Sequence, residues 1–444
     1  MHNVVDVSFT GIPDIFLICV GLFIFLLYNK FMVIKVQKGT KDILPQEIGV
    51  WQFMEKNAEN VFTNAGFEEI RTPIFEATEL FARGVGDTTD IVTKEMYTFE
   101  KSERSLTLRP ENTAGVVRSF IENGMHRLSM PVKLWYKGPM FRYERPQAGR
   151  QRQFHQVGCE LFGAENASAD AEVILTAVNY LKSLGLQNLS VDLNSLGCPK
   201  CREEFKTKLK AVLKPHFEKL CPDCQVRYEK NPLRLLDCKV EECKAIFDLP
   251  EVQSVIQSDF ICEDCAKHFN DLQNYLKELG ISYKIDKHLV RGLDYYNRTV
   301  FEIKSENLGS QNAVCGGGRY DSLVQNLGGE PVYAVGWAMG MERLYALINQ
   351  TFTNKLKAYV ICDKPAEALK YVQFLRNSGI SADFDMLGKK FTKQLEKASK
   401  TADFGFILGE DELQNGTVSV KNFATSEQQK INAQDVDAIL KLIS

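Results

Sequence analysis

The chain of 444 residues lacks a hydrophobic run long enough to span a bilayer. Its longest unbroken apolar run covers residues 15–28, between Asp14 and Lys30, whereas a spanning helix needs about 20 apolar residues. A basic segment before this run and a small-residue cleavage site after it are also missing, which argues against a secretory signal peptide. A short membrane anchor stays open as one interpretation, but we expect the protein not to reside in a membrane.

An excess of positive charge is the second missing feature. Lys and Arg number 54 against 57 for Asp and Glu, so the net charge is −3, which excludes a uniformly basic protein that coats nucleic acid. Local basic surfaces remain compatible with this total. The composition, 44% hydrophobic and 25% charged residues, is typical of a globular enzyme, and the length predicts two or three domains.

Cysteine is present, but not in the arrangement of a secreted protein. Eight of the 12 cysteines form the close pairs Cys198/Cys201, Cys221/Cys224, Cys238/Cys243 and Cys262/Cys265. Paired Cys-x-x-Cys knuckles are a zinc-ligand spacing in cytosolic proteins, because two knuckles complete a tetrahedral site. The pattern predicts structural zinc, remote from any chemistry, in a cytoplasmic protein. The alternative, reduced cysteines that act as small hydrophobic side chains in helices, stays open.

Residues 138–162 combine two strand-like segments with a very basic connection. Period-two alternation on both sides predicts a hairpin in which one face of each strand carries the charged side chains. The connection contains the arginines Arg142, Arg145, Arg150 and Arg152. Guanidinium groups match phosphate through paired, charge-assisted hydrogen bonds, so this loop favours a polyanionic ligand. A solvated hairpin with surface ion pairs is the alternative.

The segment Phe141-Arg142-Tyr143-Glu144 resembles the second signature motif of class II aminoacyl-tRNA synthetases, and GPMFRYERPQ with RQFHQVGCELFG is similar to its version in the histidyl-tRNA synthetase family. The resemblance runs from about Met32 to the C-terminus. It implies an α/β (α+β) fold with an antiparallel-sheet catalytic core, a helical insertion domain and a C-terminal α/β anticodon-binding domain. We expect residues 1–31 to be an apolar extension outside this fold, with Met32 as the working start.

Four regions follow from this comparison. The catalytic core occupies 32–194, with its first two motifs, and 286–353. Between them, residues 195–285 interrupt the α/β alternation with a Lys-, Glu- and Cys-rich, mostly helical stretch, which the resemblance identifies as an insertion that can close over the acceptor end of tRNA. Residues 357–444 show a βαβαββ pattern and look like the anticodon-binding domain.

The first predicted helix has apolar residues at helical spacing from Ile48 and ends at Gly66. Residues 67–75 then have the pattern of a strand, although it contains Pro73. This helix and strand are similar to the first class II motif. Because that motif builds the dimer interface in the family, the resemblance implies a homodimer.

Three segments supply the residues that the resemblance assigns to L-histidine. Pro110 and the acidic residue after it open a helix, a pattern that capping of the helix dipole explains by itself. The sequence VRGLDYY at 290–296 resembles a signature of histidyl enzymes and their relatives. Tyr296 and Glu160 can each address one imidazole nitrogen, and such a site rejects analogues that lack those nitrogens. The assigned residues are Glu111, Asn112, Thr113, Gln156, Glu160, Tyr295 and Tyr296.

The ATP site is expected around two further segments. Residues 316–318 are three glycines, which predict a backbone that approaches a ligand between a strand and a helix, although three glycines alone are weak evidence for phosphate. Arg343 lies at a strand-to-helix junction that resembles the third class II motif. The resemblance assigns ATP to Arg142, Glu144, Tyr320 and Arg343, with Mg²⁺ bridging the β- and γ-phosphates.

These assignments imply a histidine–tRNA ligase that forms histidyl-adenylate and transfers it to tRNA(His). Arg142 and Arg291 are the predicted catalytic residues, because they would hold the α-phosphate and stabilise the charge developing on it. A lysine stripe in the C-terminal region fits contacts to tRNA phosphates, although such a stripe is usually a solvated helix face. The residues assigned to tRNA are Gln147, Arg152, Lys389, Lys390 and Lys393.

Two other classes of function compete with this one. Inactive paralogues of the same core are regulatory subunits of ATP phosphoribosyltransferase, which bind histidine without activating it. They lack the anticodon-binding unit and parts of the ATP-binding set, whereas both are present here. An unrelated zinc-binding RNA adaptor would leave Arg142, Arg291 and Arg343 unexplained.

Overall fold

The computed structural model describes residues 34–86, 89–147, 149–258, 260–305, 313–350, 352 and 355–443. The predicted extension at 1–31 and the start at Met32 lie outside these residues. Packing divides the described chain into two compact units. The first contains the residues up to Leu44 together with Val50–Gln350, and the second contains Pro45–Gly49 together with those after Gln350. Within the described ranges, no helix combines the length and apolarity that a bilayer crossing requires.

Helices and strands alternate over the first half of the chain. In chain order they are α1 Ile48–Asn64, β1 Glu68–Glu69, β2 Phe75–Ala77, α2 Thr78–Val85, β3 Tyr97–Lys101, β4 Arg104–Leu108, α3 Thr113–Glu122, β5 Val132–Phe141, β6 Gln153–Phe162, α4 Ala167–Ser183 and β7 Leu189–Ser195.

A helical stretch interrupts this alternation before the strands resume. It comprises α5 Pro199–Leu213, α6 Pro222–Lys230, α7 Glu241–Phe247, α8 Pro250–Ile256 and α9 Glu263–Glu278. The elements that follow are β8 Tyr283–Ile285, β9 Asn297–Ser305, β10 Ala313–Arg319, α10 Leu323–Asn326, β11 Ala334–Gly340 and α11 Met341–Tyr345.

Eight of these strands form one sheet in the order β1-β5-β6-β11-β10-β9-β7-β8. Neighbouring strands are antiparallel except in the two edge pairs, β1 with β5 and β7 with β8, which confirms the predicted type of core. Strands β5 and β6 pair from Val132↔Phe162 to Phe141↔Gln153, as expected for the hairpin. The alternation predicted beyond Phe141 is wrong, because β5 ends there and the Tyr143 N–H donates to the Glu95 carbonyl at 2.7 Å.

The single strand predicted at 67–75 is also wrong. Strand β1 belongs to the large sheet, whereas β2 belongs to a three-stranded sheet of order β2-β4-β3. Pro73, between them, has no N–H to contribute to a ladder. The Arg109 guanidinium instead binds this segment, with Nη1 at 3.0 Å from the Thr72 carbonyl oxygen. The chain therefore crosses from one sheet to the other at Pro73.

One face of the large sheet is covered by helices. The Trp337 indole N–H donates to the Val173 carbonyl in α4 at 2.8 Å. Phe62 of α1 lies with its ring centroid 5.3 Å from that of Trp135 and 5.6 Å from that of Trp337. Aromatic pairs at these separations add to the burial of apolar area. The functional side chains are consequently restricted to the opposite face.

The second unit is an open mixed sheet with helices. Its elements are β12 Leu356–Ile361, α12 Pro365–Asn377, β13 Ala382–Phe384, α13 Phe391–Thr401, β14 Ala402–Ile407, α14 Glu410–Asn415, β15 Thr417–Asn422, β16 Gln428–Asn432 and α15 Val436–Ile443. The strand order is β13-β12-β14-β15-β16. The predicted βαβαββ pattern is present except that α14 separates its last two strands. It is extended by β16, whose sequence QQKIN is too polar to predict a strand.

A buried ion network connects the helical stretch to the sheet. Arg319 of β10 and Asp170 of α4 are both 0% exposed and bond at 2.7 Å (Nη2–Oδ2), and His268 of α9 lies 3.3 Å from the same carboxylate. Burial disfavours the ionised carboxylate and would raise its pKa, but the charges and hydrogen bonds of Arg319 and His268 together outweigh burial and lower the pKa of Asp170. This network therefore fixes α9 against α4 and β10.

We expect Asp170→Ala to destabilise the protein by about 3–5 kcal/mol, because it leaves the Arg319 charge buried without its partner. Asp271→Ala, which removes an exposed pair with Lys267 on α9, should cost below about 0.5 kcal/mol. Urea unfolding followed by circular dichroism measures both variants. Equal losses would contradict a special role for the buried network.

Candidate active site

The open face of the large sheet has a floor of very small residues. Strand register places Gly336 and Gly318 in one row with Glu160, and the next row contains Gly158, Ala338 and Gly316. A Cβ at position 336 would lie 1.8 Å from Oε2 of Glu160, so glycine is required there. Glycine weakens strand interiors, and the benefit here is open space for side chains and a ligand above the sheet.

Glu160 is the central buried carboxyl group of this face, with 1% exposure. The Thr113 hydroxyl donates to its Oε1 at 2.8 Å, and the Tyr320 hydroxyl donates to its Oε2. Tyr136 lies farther away, at 3.4 Å from Oε1. Burial raises the pKa of Glu160 to about 8, although the bonds from Tyr320 and Thr113 oppose that shift. Glu160 is therefore mostly protonated in the free protein at neutral pH.

Glu111 lies two residues before α3, close to this carboxyl group. Its two oxygens accept the backbone N–H groups of Thr113 and Ala114 at 2.8 and 2.9 Å, so the capping interpretation is realised. Burial nevertheless raises the pKa of Glu111. Asn112 faces elsewhere, because its Oδ1 accepts from the Thr72 hydroxyl at 2.6 Å. Thr113 therefore connects two buried carboxyl groups, and Asn112 supports the backbone next to them.

Three tyrosines surround Glu160 and make one side of the pocket aromatic. The ring centroids of Tyr295 lie 4.6 Å from Tyr296 and 5.6 Å from Tyr320. Tyr320, which the sequence assigns to ATP, instead directs its hydroxyl at Glu160. Gln156 lies two positions from Gly158 on the same face, and within the described chain its buried Oε1 accepts no hydrogen bond. A buried acceptor of this kind can accept an N–H from a ligand.

Arg291 lies over Gly316, the first of the three glycines. A Cβ at Gly316 would come within 1.9 Å of the Arg291 Nη2 atom, so the glycine makes room for this guanidinium. Residues 316–318 lie inside β10 and are paired on both sides, so their expected position between a strand and a helix is wrong. Arg291 bonds to Glu302 on β9, while its Nε atom has no hydrogen-bond partner among the described residues.

The other two arginines of the predicted set lie near the same region. Arg142 donates from Nε to the Pro110 carbonyl at 2.8 Å and lies 5.2 Å over the Phe154 ring. Arg343 donates from Nη1 to the Ala313 carbonyl at 2.7 Å. Burial, and then the nearby charge of Arg150, lower the pKa of Arg343. Crowded cations of this kind indicate an anion site.

The residues predicted to contact tRNA lie in two places. In the hairpin loop, Gln147 forms an isolated bridge with Arg150, and Arg152 lies 3.9 Å over the Tyr143 ring. Glu144 in this loop pairs with Arg150 at 3.3 Å. In the second unit, Lys389 and Lys390 are exposed just before α13, and Lys393 pairs with Glu396 at 2.8 Å. Each group is accessible, but part of the lysine stripe is neutralised.

The eight paired cysteines form two groups, each with its sulfur atoms within 4.8 Å of one another. The first group is Cys198, Cys201, Cys262 and Cys265, and the second is Cys221, Cys224, Cys238 and Cys243. Both lie in or beside the helical stretch, apart from Glu160 and the arginines. Four thiolates at this separation match a tetrahedral metal site.

Sequence reasoning missed Tyr136, Glu302 and the small-residue floor. A signal for Tyr136 was present, because period-two alternation places it on the face of the hairpin that carries Glu160. Glu302 had none, since only the pairing of β9 with β10 places it opposite Gly316. The floor had no such signal. Its residues come from β6, β10 and β11, and only the pairing of these strands brings them together.

An antiparallel sheet that presents a buried carboxyl group and a set of arginines on one face matches the catalytic core expected of a class II aminoacyl-tRNA synthetase. The histidyl-tRNA synthetase family model matches residues 39–201 and 233–344, and an anticodon-binding domain model matches residues 353–442. The chain belongs to the histidyl-tRNA synthetase family.

Individual relatives agree with this assignment. A histidine–tRNA ligase of Acetivibrio thermocellus is 48% identical over 421 residues, covering 93% of this chain and 100% of the relative. The corresponding ligase of Halothermothrix orenii is 46% identical over 424 residues, with the same coverage. The apo histidyl-tRNA synthetase of S. aureus superposes with a TM-score of 0.76 at 36% identity, covering 93% of this chain and all of that one.

The raised pKa of Glu160 predicts a pH-dependent stability. Between its ordinary pKa of 4.5 and its folded value of about 8, the folded chain holds one proton more than the unfolded chain. The free energy of unfolding therefore falls as the pH rises, by up to roughly 1.4 kcal/mol per pH unit from this group. We expect Glu160→Gln to match the wild type near pH 5 and to be more stable than it above pH 8.

Urea unfolding at several pH values measures this difference. Glu122→Gln, on the exposed side of α3, controls for the loss of a carboxylate elsewhere. If the free energies of unfolding of Glu160→Gln and the wild type differed by the same amount from pH 5 to pH 9, Glu160 would not be a buried neutral carboxyl group.

Proposed function

We propose that the chain is a histidine–tRNA ligase, which activates L-histidine with ATP and transfers it to the 3′ end of tRNA(His). The observation that carries this proposal is the small-residue floor between two sets of groups. Glu160 and Gln156 lie on one part of this face, and Arg291 with Glu302 lies on another. A flat polar ring fits the first set and a phosphate the second.

Histidine is bound through the buried polar groups around Glu160. We assign one imidazole nitrogen to Glu160 and the other to Tyr296, whose pKa burial raises to about 12, so that it remains a donor. Gln156 supplies a further acceptor through its unpaired Oε1. Glu111 and Thr113 hold the amino group. Tyr295 packs against Tyr296, and Asn112 holds the start of α3 in place.

ATP is bound by the arginines. Arg142 holds the α-phosphate, Arg343 packs against the nucleotide and Glu144 contacts it from the hairpin loop. The carboxylate oxygens of Glu144 and Glu302, among these arginines, suit Mg²⁺, which neutralises charge on the β- and γ-phosphates when bound. Tyr320 acts on the histidine side, because its hydroxyl is used by Glu160.

The reaction proceeds in two displacements. An oxygen of the histidine carboxylate attacks the α-phosphorus, a new P–O bond forms, and the bond to the β-phosphate breaks to release pyrophosphate. The terminal ribose hydroxyl of tRNA then attacks the acyl carbon, and AMP leaves. Arg291 stabilises the charge on the α-phosphate oxygens, and the protein contributes mainly by positioning and electrostatics.

We expect Arg291→Gln to lower histidine-dependent ATP–pyrophosphate exchange about 10²–10³-fold, because a charged donor at the developing negative charge is lost. The thermal midpoint should change little. Arg298→Gln, on β9 and facing Glu165, should keep near wild-type exchange. An exchange rate of Arg291→Gln within threefold of the wild type would refute its catalytic role.

The same assay separates the ligase from the regulatory alternative. A histidine sensor binds histidine without exchange, whereas the ligase requires all three arginines and the second unit. Their presence here, with the match to an anticodon-binding domain over residues 353–442, favours the ligase. Wild-type protein without exchange would favour the regulatory function.

Transfer RNA is proposed to bind at both units. Gln147 and Arg152 in the hairpin loop approach the acceptor end. Lys389, Lys390 and Lys393 approach phosphates of the anticodon arm, next to Met386 and Leu387, whose side chains are 70% and 73% exposed. Contacts of this kind release counterions and are therefore weakened by salt.

We expect the triple change Lys389→Gln, Lys390→Gln and Lys393→Gln to raise the KM for tRNA roughly tenfold. The slope of log binding constant against log salt concentration should fall by the amount that about two to three phosphate contacts contribute. Pyrophosphate exchange should be unchanged. The control is the double change Lys364→Gln and Lys370→Gln. Lys364 directly precedes α12, and Lys370 lies within it. An unchanged salt slope would identify the stripe as an ordinary solvated face.

The three-stranded sheet supports a homodimer. Register places Phe75, Phe99, Leu106 and Leu108 on one face, and Phe75 and Phe99 are 53% and 43% exposed. The opposite face contains Thr107, which is buried and bonds to the Thr78 hydroxyl. The apolar face is thus the more exposed one, as expected for a surface covered by a second copy.

The division of the chain follows from these roles. We propose catalytic segments at 32–194 and 286–353, an insertion at 195–285 and an anticodon-binding domain at 357–444. The helical stretch between β7 and β8 supports the insertion. We assign its cysteines to structural zinc, and we place the ligase in the cytoplasm, where tRNA is charged.

A further inference from the structure

The partition of the eight cysteines is not the one that sequence neighbours suggest. The first pair, Cys198 and Cys201, meets the last pair, Cys262 and Cys265, and the two middle pairs meet each other. The second group is therefore nested inside the chain segment that the first group closes. We call them the outer site and the inner site.

The distances between sulfurs exclude disulfides and fit a metal. Cys198 Sγ lies 3.5 Å from Cys201 Sγ, and Cys221 Sγ lies 3.9 Å from Cys238 Sγ, whereas a disulfide bond is about 2.05 Å long. With metal–sulfur bonds of about 2.3 Å, a tetrahedral zinc site has sulfurs about 3.8 Å apart. Both groups therefore match this geometry.

Backbone amides further orient the sulfurs. In the outer site the Cys198 N–H donates to Cys265 Sγ at 3.2 Å, and the Cys262 N–H donates to Cys201 Sγ at 3.1 Å. In the inner site the Cys221 N–H donates to Cys243 Sγ at 3.2 Å. Amide bonds that cross between ligand pairs fix the ligands of a metal and stabilise thiolate charge.

The interpretation as mere small hydrophobes does not explain this clustering. Cys159, Cys315 and Cys362 are buried cysteines elsewhere in the described chain, and no group of potential ligands includes them. Cys262, in contrast, is exposed, yet it belongs to the outer site. Burial alone therefore does not distinguish these eight cysteines from the others in the described chain. They are distinguished by the convergence of four sulfur atoms in each site.

The inner site also lies beside polar contacts to Asp90 and to Asp294. Between its ligands Cys224 and Cys238, Asn231 donates to Asp294 Oδ1 at 2.8 Å, and Arg227 donates to Asp90 Oδ2 at 3.1 Å. Arg234 lies 3.6 Å from the same Asp90 oxygen. Asp294 directly precedes the two tyrosines of the histidine pocket.

We propose that the chain binds two zinc ions, one in each tetracysteine site, and that the inner zinc positions the loop of Asp294 and Tyr295 for histidine binding. The claim that the inner zinc positions this loop for histidine rests on the proposed function. Within residues 224–238, Tyr228, Leu233 and Leu235 pack in the buried apolar core of the helical stretch. A metal held by Cys224 and Cys238 would fix both ends of this segment and with it the positions of Arg227, Asn231 and Arg234. These three are positioning residues, since they act through Asp90 and Asp294.

Metal content of the full-length protein, purified without chelator from zinc-supplemented medium, tests the first half by mass spectrometry. We expect two zinc ions per chain in the wild type and in Cys362→Ser. Each of the variants Cys262→Ser and Cys221→Ser should hold one. Cys221→His should regain the second ion, because imidazole is also a zinc ligand. Fewer than two zinc ions in the wild type, bound iron instead of zinc, or disulfides would overturn the proposal.

Steady-state pyrophosphate exchange tests the coupling. Cys221→Ser and Asn231→Ala should each raise the KM for histidine about tenfold with little change in the KM for ATP, and Asn231→Ala should keep both zinc ions. Cys221→His should restore the KM. Equal losses for both substrates, or no rescue, would overturn the coupling.

The two proposals fail in distinguishable ways. A wild-type chain with two zinc ions but no exchange would reject the ligase and leave the metal sites in place. An active wild-type chain with fewer than two zinc ions would leave the ligase in place and reject the metal sites.

Discussion

The removal of the Glu160 carboxyl group from water is the constraint on which the rest of the site depends. A buried carboxyl group must be neutral or fully hydrogen-bonded, and Thr113, Tyr320 and Tyr136 provide bonds from three other elements. These bonds hold helix α3, strand β5 and the residue after β10 in fixed positions around β6. The cost of burying one ionisable group thus determines where several secondary-structure elements meet.

The glycines in the central strands follow from the same constraint. Gly336 leaves room for Glu160, Gly316 for Arg291, and Gly158 for the Tyr136 hydroxyl, which would lie 2.5 Å from a Cβ there. Each glycine lowers strand stability, yet each is paired on both sides by neighbouring strands. The helix-covered face, with Trp337 and Phe62, supplies the packing that compensates for the weakened interior of the sheet.

Local patterns predicted the hairpin, the start of α3 and the junction before Arg343, because each depends on residues close in sequence. Residues 316–318 were expected between a strand and a helix, since glycine content says nothing about the strands that pair on either side. Strand β16 was missed because its polar residues are held by β15 and not by a core. The cysteine pairs were visible, but their nested partition depends on how the helices fold back.

The insertion is compatible with this sheet because it leaves and re-enters at one edge. Strands β7 and β8 run parallel at that edge, with Val191 opposite Tyr283, so the helices between them do not interrupt the central strands. Two anchors then hold the helices. The Asp170–Arg319–His268 network binds α9, Asp90 binds α6 through Arg227, and Asp294 binds Asn231 just after α6. Because the insertion is attached at both places, a well-ordered insertion can also fix the loop of Asp294 and Tyr295. A loosely tethered domain cannot do this.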